Sequence, residues 1–365
     1  MIVAHIAVGL AGLALLLWTL TSAVKSVVVP RATPTALTRA HFVVLGRLFR
    51  RIASTERSFD DRDRVMSLYG PVGLVLLPAV WVTLVVVAFT GVFWGVGVHP
   101  FSEAFIISGS SLMTLGFERP EGVWRTALAF VEAGLGLGLV SLMISYLPTI
   151  YGAFSRRETL VGMLEVRAGL PPSPATLFIR YQAIGLLADI DDDLFRPWET
   201  WFMDIEESHT SQPALVHFRS PHPDRSWITA AGCVLDTAAL AASTVDGTAR
   251  ARASLTLRTG FFSLRRIADY FGIAYDPDPA SDAPISISRA EYDQLVAELE
   301  AAGVPLRADR DQAWRDFAGW RVNYDAVLLS LCALAMAPPA RWSADRMPTF
   351  VMPTIRRGRP RSPSR

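Results

Sequence analysis

The sequence predicts an all-helical membrane protein: three transmembrane helices with a re-entrant loop between the second and third, followed by a cytoplasmic helical domain. Three observations carry that expectation. Apolar residues make up 51% of the 365-residue chain, and the mean hydropathy of +0.31 reflects an excess that lies mostly before Phe154. Within that part, three apolar runs are long enough to cross a bilayer, which takes roughly 20 helical residues. Arginine and lysine concentrate between Lys25 and Arg64 and again in Ser155-Arg156-Arg157.

The first run, Ile2 to Val24, defines a transmembrane segment over residues 1–24. Thr21-Ser22-Ala23 resembles a cleavage site, but no basic residue precedes the run as it does in a signal peptide, so a retained helix is expected. Residues 25–68 form a basic loop with Lys25, Arg31, Arg39, Arg47, Arg50, Arg51, Arg57, Arg62 and Arg64. The positive-inside rule puts this loop, and the stretch after Phe154, in the cytoplasm of a multi-pass cell-membrane protein, with the amino terminus outside. Within the loop, Phe42, Leu45, Phe49 and Ile52 recur at helical spacing, with Arg47, Arg50 and Arg51 mainly opposite. That pattern suits a helix lying on anionic lipid headgroups, or a solvated connector.

The second and third spans are Tyr69 to Val98 and Val123 to Phe154. Between them, on the outer side, Phe101 to Met113 is apolar but too short to cross. A chain that dips into hydrocarbon must satisfy its backbone internally or line water and protein, which a half-helix with an extended return achieves. Ser102 is expected to cap that half-helix, and Glu103 to sit in its first turn, beside the positive end of the dipole. The negative end then points into the membrane and attracts cations. Thr114-Leu115-Gly116-Phe117 follows at once.

This arrangement resembles the pore domain of the potassium channel family, in its bacterial form of two helices and a re-entrant filter loop. The likeness covers an outer helix (69–98), pore helix (101–113), filter (114–118) and inner helix (123–154), so that residues 69–154 are expected to form a pore module. The family's filter reads Thr-x-Gly-Tyr/Phe-Gly, and Thr114, Leu115, Gly116 and Phe117 fit its first four places. Its carbonyls replace an ion's hydration shell, and glycine permits the left-handed angles that aim them inward. The resemblance implies that the Thr114 hydroxyl faces the cavity end and that Phe117 braces the filter from behind. Glu118 stands where the family has its second glycine, and Arg119 where an acidic residue usually follows, so the outer end is expected to be remodelled.

The third span carries Arg125 near its start and a glycine-rich middle, Gly134, Gly136 and Gly138. Inner helices of the family bend at a glycine near that depth, which makes Gly134 and Gly136 the hinge; the same glycines would also let helices pack closely. Glu132 is a carboxylate well inside the span. It either lies behind the filter, partnered by Ser110, Ser111 or a filter amide, or lines the cavity as a cation-attracting ring.

Residues 155–338 read as a cytoplasmic helical domain. Ser288 and Glu291 have capping-box spacing, and Gly303 gives a stop. The segments 227–243 and 324–337 are apolar but short for spans, and are expected in a protein core despite Asp236. No Gly-x-Gly-x-x-Gly follows a strand, so a nucleotide-binding regulatory domain is not expected. Asp189, Asp191, Asp192 and Asp193 lack the glycine and closing glutamate of a calcium loop. His209, His217 and His222, near Asp204, Glu206 and Glu207, match no zinc spacing. Cys233 and Cys332 are expected as buried free thiols. Residues 339–365 form a basic, proline-rich tail.

Together these features lead to an expected homotetrameric cation channel subunit, passing potassium or another monovalent cation. Membrane lipid is a partner and the cytoplasmic partner is unknown. With a net charge of +1, no nucleic-acid partner is expected; nor are a cofactor, bound metal or catalytic residues, and the chain is not read as an enzyme. The alternative is a non-conducting, membrane-anchored sensor or scaffold.

Overall fold

A computed structural model describes residues 2–27, 29, 35–53, 58–248 and 250–348. Most of the expected tail, from 349 onward, and Arg31 and Arg57 of the basic loop lie outside the described residues. In chain order the first six helices are α1 (Ile2–Val27), α2 (Ala36–Ile52), α3 (Phe59–Ser67), α4 (Tyr69–Gly95), α5 (Phe101–Leu112) and α6 (Val123–Ala168). Helix α1, α4 with α3 leading into it, and α6 are long and apolar enough to cross a membrane. Among the described residues no strand forms, and β contact is limited to a bridge between Val245 and Leu306. The chain divides into two compact units, residues 1–50 with 68–152, and residues 51–67 with 153–365.

In the first unit, α1 and α4 pack through a glycine seam. A Cβ on Gly95 would sit 2.7 Å from the Gly9 Cα, one on Gly91 3.2 Å from the Val8 carbonyl oxygen, and one on Gly12 2.5 Å from the Ala88 carbonyl oxygen. Lipid tails are as apolar as leucine, so helices in a bilayer associate by close packing of this kind rather than by hydrophobic burial. Trp81, Val85, Phe89 and Phe93 of α4 form a core with Ala104, Ile107 and Leu112 of α5 and Leu139 of α6. Helix α2 packs on the first turns of α4. Phe42 and Leu45 fill the space left by Gly73, and Tyr69 donates to the Phe42 carbonyl oxygen at 2.9 Å. The apolar face read for α2 is therefore largely spent on protein; Val44, Leu48 and Ile52 are its exposed apolar residues.

Two boundaries differ from expectation for local reasons. Pro100, not Ser102, is the N-cap of α5; its extended backbone (ψ 177°) turns the chain into the helix, and Ser102 already lies inside the first turn. Glu103 is in that turn, and its N–H reaches the Pro100 carbonyl oxygen at 3.0 Å. Helix α6 does not stop near Phe154 but runs through Pro148 to Ala168, because no proline and no left-handed residue falls between Phe154 and Gly169, which takes a φ of 80° with Pro171 close behind. At 1.5 Å per residue, α6 is about 70 Å long.

The second unit contains the end of α6, α3, and α7 (Pro174–Ala183), α8 (Arg196–Ser211), α9 (Trp227–Ser243), α10 (Arg250–Phe271), α11 (Arg289–Ala301), α12 (Arg310–Arg321) and α13 (Asp325–Ala335). Every residue of α9 is buried, as suits a helix apolar on all sides. Its Asp236 accepts from Arg321 and from the Tyr324 hydroxyl (2.8 Å), while Arg321 also donates to Asp325 (2.8 Å) and to the Trp342 carbonyl oxygen (2.6 Å). Pairing of this kind is what permits charge in a core. Ser288 and Glu291 form the expected capping box at the start of α11. Asp63 of α3 is ion-paired with Arg219, whose guanidinium also caps the end of α13 at the Ala335 and Met336 carbonyl oxygens, both at 3.0 Å.

Candidate functional site

The segment after α5 is shaped by backbone angles. Thr114 has a φ of 55° and Gly116 a φ of 70°, both left-handed, whereas Leu115 and Phe117 between and after them do not have positive φ. For Thr114 that conformation costs roughly 1 kcal/mol or more. Glu118 does not adopt a positive φ, so within residues 114–118 the left-handed non-glycine residue is Thr114. A side chain of α5 fixes the outer end. Ser110 Oγ accepts from the Glu118 N–H and donates to the Glu118 carbonyl oxygen, each at 3.2 Å. The Ser110 carbonyl oxygen accepts from the Leu115 N–H at 2.9 Å. Ser110, itself buried, thus ties both ends of residues 114–118 to α5. Leu115 and Phe117 are exposed within the single chain.

Glu132 is fully buried. It is neither open to a cavity within the chain nor bonded to Ser110 or Ser111; Ser108 donates to its Oε1 at 2.5 Å, and also lies 3.1 Å from the Val86 carbonyl oxygen. That pair bridges α6, α5 and α4, and the Glu132 Oε2 has no partner among the described residues. The partner is Ser108 because it lies two residues before Ser110, on a different side of a helix that turns 100° per residue.

The two expected hinge glycines occupy different surroundings. A Cβ on Gly136 would collide with the Leu112 carbonyl oxygen at the end of α5, whereas one on Gly134 would meet nothing within 4 Å. The helix is continuous through both. Arg125 closes the other end of the assembly: its guanidinium donates to the Val96 carbonyl oxygen at 3.0 and 3.2 Å and to that of Gly97 at 3.1 Å, satisfying carbonyls left over at the end of α4.

In the second unit, Asp192, Asp193 and His209 are engaged in bonds within the protein. Asp193 is held by Arg167 through two bonds of 3.0 Å, which keep its carboxyl below the usual carboxylate range, and Asp192 pairs with Arg196 at 2.9 Å. His209 is buried, and Arg157, which can only donate, meets its Nε2 at 3.2 Å. Its Nδ1 proton is then the one shared with Ser208 Oγ at 3.1 Å. Burial, then the Arg157 charge, push His209 well below its ordinary pKa. Arg157, itself fully buried, also donates to the Leu215 and Phe218 carbonyl oxygens at 2.9 and 2.7 Å. Among the described residues no His, Cys, Asp and Glu cluster of three or more is placed to hold a metal.

Sequence reasoning missed Ser108, Ser110 as a backbone clasp, and the seam of Gly9, Gly12, Gly91 and Gly95. The spacing of Gly91 and Gly95, glycines four apart in an apolar run, was the available signal for the last. No family model, curated protein or solved structure matches the chain.

Proposed function

We propose that the chain is a subunit of an integral membrane cation channel in which four copies surround one axis. In this reading α4 and α6 are the outer and inner helices, α5 enters the bilayer part way, and residues 114–118 line the narrow passage for potassium or another monovalent cation. The amino terminus is outside, and residues 25–68 and the second unit are cytoplasmic. The observation that carries the reading is the run of left-handed residues at alternate places, Thr114 and Gly116, directly after a short helix set between two potential spans. Alternation of handedness lets successive carbonyls face one side, as replacement of an ion's water shell requires. One chain supplies one such strip, so a closed ring needs several copies.

Glu118 makes the passage unlike that of the resembled family. Its carbonyl oxygen accepts from Ser110 and is turned to the protein, leaving one carbonyl ring fewer for an ion. Four Glu118 carboxylates near the mouth raise local cation concentration without measuring ion size. The expected channel therefore prefers cations to anions but separates potassium from sodium weakly. The same feature favours the second reading, a non-conducting anchor for the helical domain. Purified protein in liposomes, assayed for potassium, sodium and chloride flux, separates the two. Cation flux supports the channel; an intact tetramer without flux supports the anchor; chloride flux defeats the pore assignment.

A further inference from the structure

Helix α2 is fastened along its first half to the ends of α1 and α4. At its start, Thr35 and Thr38 share hydrogen bonds of 2.8 Å with Ser22 and Ser26, in the last turns of α1. Farther along, His41 Nε2 donates to the Gly73 carbonyl oxygen at 2.9 Å, and Tyr69, the first residue of α4, donates to Phe42. Lys25 marks the end of the apolar run of α1, and the charged α3 precedes that of α4. With the Phe49 ring also 5.7 Å from that of Tyr69, α2 stays beside these two apolar boundaries, which the membrane-spanning reading of α1 and α4 puts at headgroup depth.

The face α2 turns away from α4 has a definite chemistry. Val44, Arg47, Leu48, Arg51 and Ile52 are all exposed, and their spacing of three and four residues makes one stripe. Neither Arg47 nor Arg51 is in an ion pair among the described residues, and α2 contains no Asp or Glu. A guanidinium on such a stripe can lay its stem along apolar surface and present a planar fork to a phosphate. A second copy of the same region is a poor occupant, because the first 55 residues of the chain hold no carboxylate side chain to meet these arginines.

We propose that this stripe is a binding surface for anionic phospholipid, with Arg47 and Arg51 on headgroup phosphates and Val44, Leu48 and Ile52 in the acyl boundary. The surface rests on the membrane-spanning reading of α1 and α4, and not on conduction. Because α2 is bonded to the first turns of α4, a lipid held there bears directly on that helix.

The test uses the full chain in neutral detergent, with dioleoylphosphatidylglycerol or dioleoylphosphatidylcholine titrated in and bound lipids counted by native mass spectrometry. Each arginine near an anionic surface contributes roughly a factor of five, so Arg47→Gln with Arg51→Gln is expected to weaken phosphatidylglycerol binding about twenty-five-fold. The double lysine variant is expected to keep most of it, and phosphatidylcholine to bind weakly throughout. Unchanged phosphatidylglycerol binding in the glutamine pair, equal binding of the two lipids, or displacement by excess inorganic phosphate would each overturn the proposal. No ion flux enters the measurement, so a protein that fails to conduct still tests the surface, and a protein without lipid preference still tests the channel.

Discussion

A carbonyl oxygen that already accepts a hydrogen bond offers less to an ion, and Glu118 is in that position because of a single hydroxyl on α5. Glu118→Gly removes the carboxylate and restores backbone freedom, and is expected to sharpen the preference for potassium over sodium. Gly116→Ala puts a Cβ on a residue with a φ of 70°, which costs roughly 1 kcal/mol per chain or more, and is expected to abolish conduction. Reversal potentials under potassium and sodium gradients read the first and liposome flux the second; strong potassium selectivity in the unaltered protein would refute the role given to Glu118. His209 supplies a second residue-level expectation. The buried ring is neutral in the fold, while the unfolded chain regains the ordinary value of 6.5. Above pH 6.5 neither state binds the proton; below it the unfolded state alone does, so stability falls by up to about 1.4 kcal/mol per pH unit as the pH drops. Thermal unfolding between pH 7 and pH 5 is expected to show that loss, and His209→Gln to flatten it. The left-handed backbone of Gly116 was readable from its residue type, and that of Thr114 was not. Ser110 was not, since a serine in an apolar helix reads equally well as filler until the return of the chain brings Glu118 to it.

Adjacent glycines on one helix serve different ends when only one of them faces a neighbour. Gly136 lies under the Leu112 carbonyl oxygen, so Gly136→Ala must push the end of α5 away from α6 and is expected to destabilise residues 114–118 that follow α5. Gly134 faces open space within the chain, and Gly134→Ala gains helix propensity worth about 1 kcal/mol. Thermal stability in detergent should therefore fall for the first and rise for the second; a fall for both would place Gly134 at a contact between copies. The three long helices were legible from run length alone, because about 20 apolar residues have few other uses. The end of α6 was misjudged at Phe154 because a change from apolar to charged residues marks the edge of hydrocarbon, not the end of a helix; only Gly169 ends it. The packing of α1 on α4 was illegible because a glycine's partner lies some 80 residues away in the chain, and spacing on one helix does not name the other.

Sidedness is a property of the whole chain, and the positive-inside rule reads it from arginines far apart in sequence. Ser102 and Thr159 are both exposed within the chain, so single cysteines there are expected to react with an impermeant thiol reagent from opposite sides of the membrane. Reaction of both from one side would defeat the three-span arrangement. The two native thiols enter this experiment in a second way. Cys233 and Cys332 sit in the core of the second unit, and burial raises both well above an ordinary thiol. A thiolate is the reacting species, so neither can be alkylated while the core is closed, and every slow native labelling event times an opening of that core. The protein thus contains its own clock. Labelling at Cys233 on α9 and Cys332 on α13 is expected to proceed at one common rate if the unit opens as a whole, and at two rates if α13 can leave α9 in place. Mass spectrometry of the time course reads the difference without any substitution.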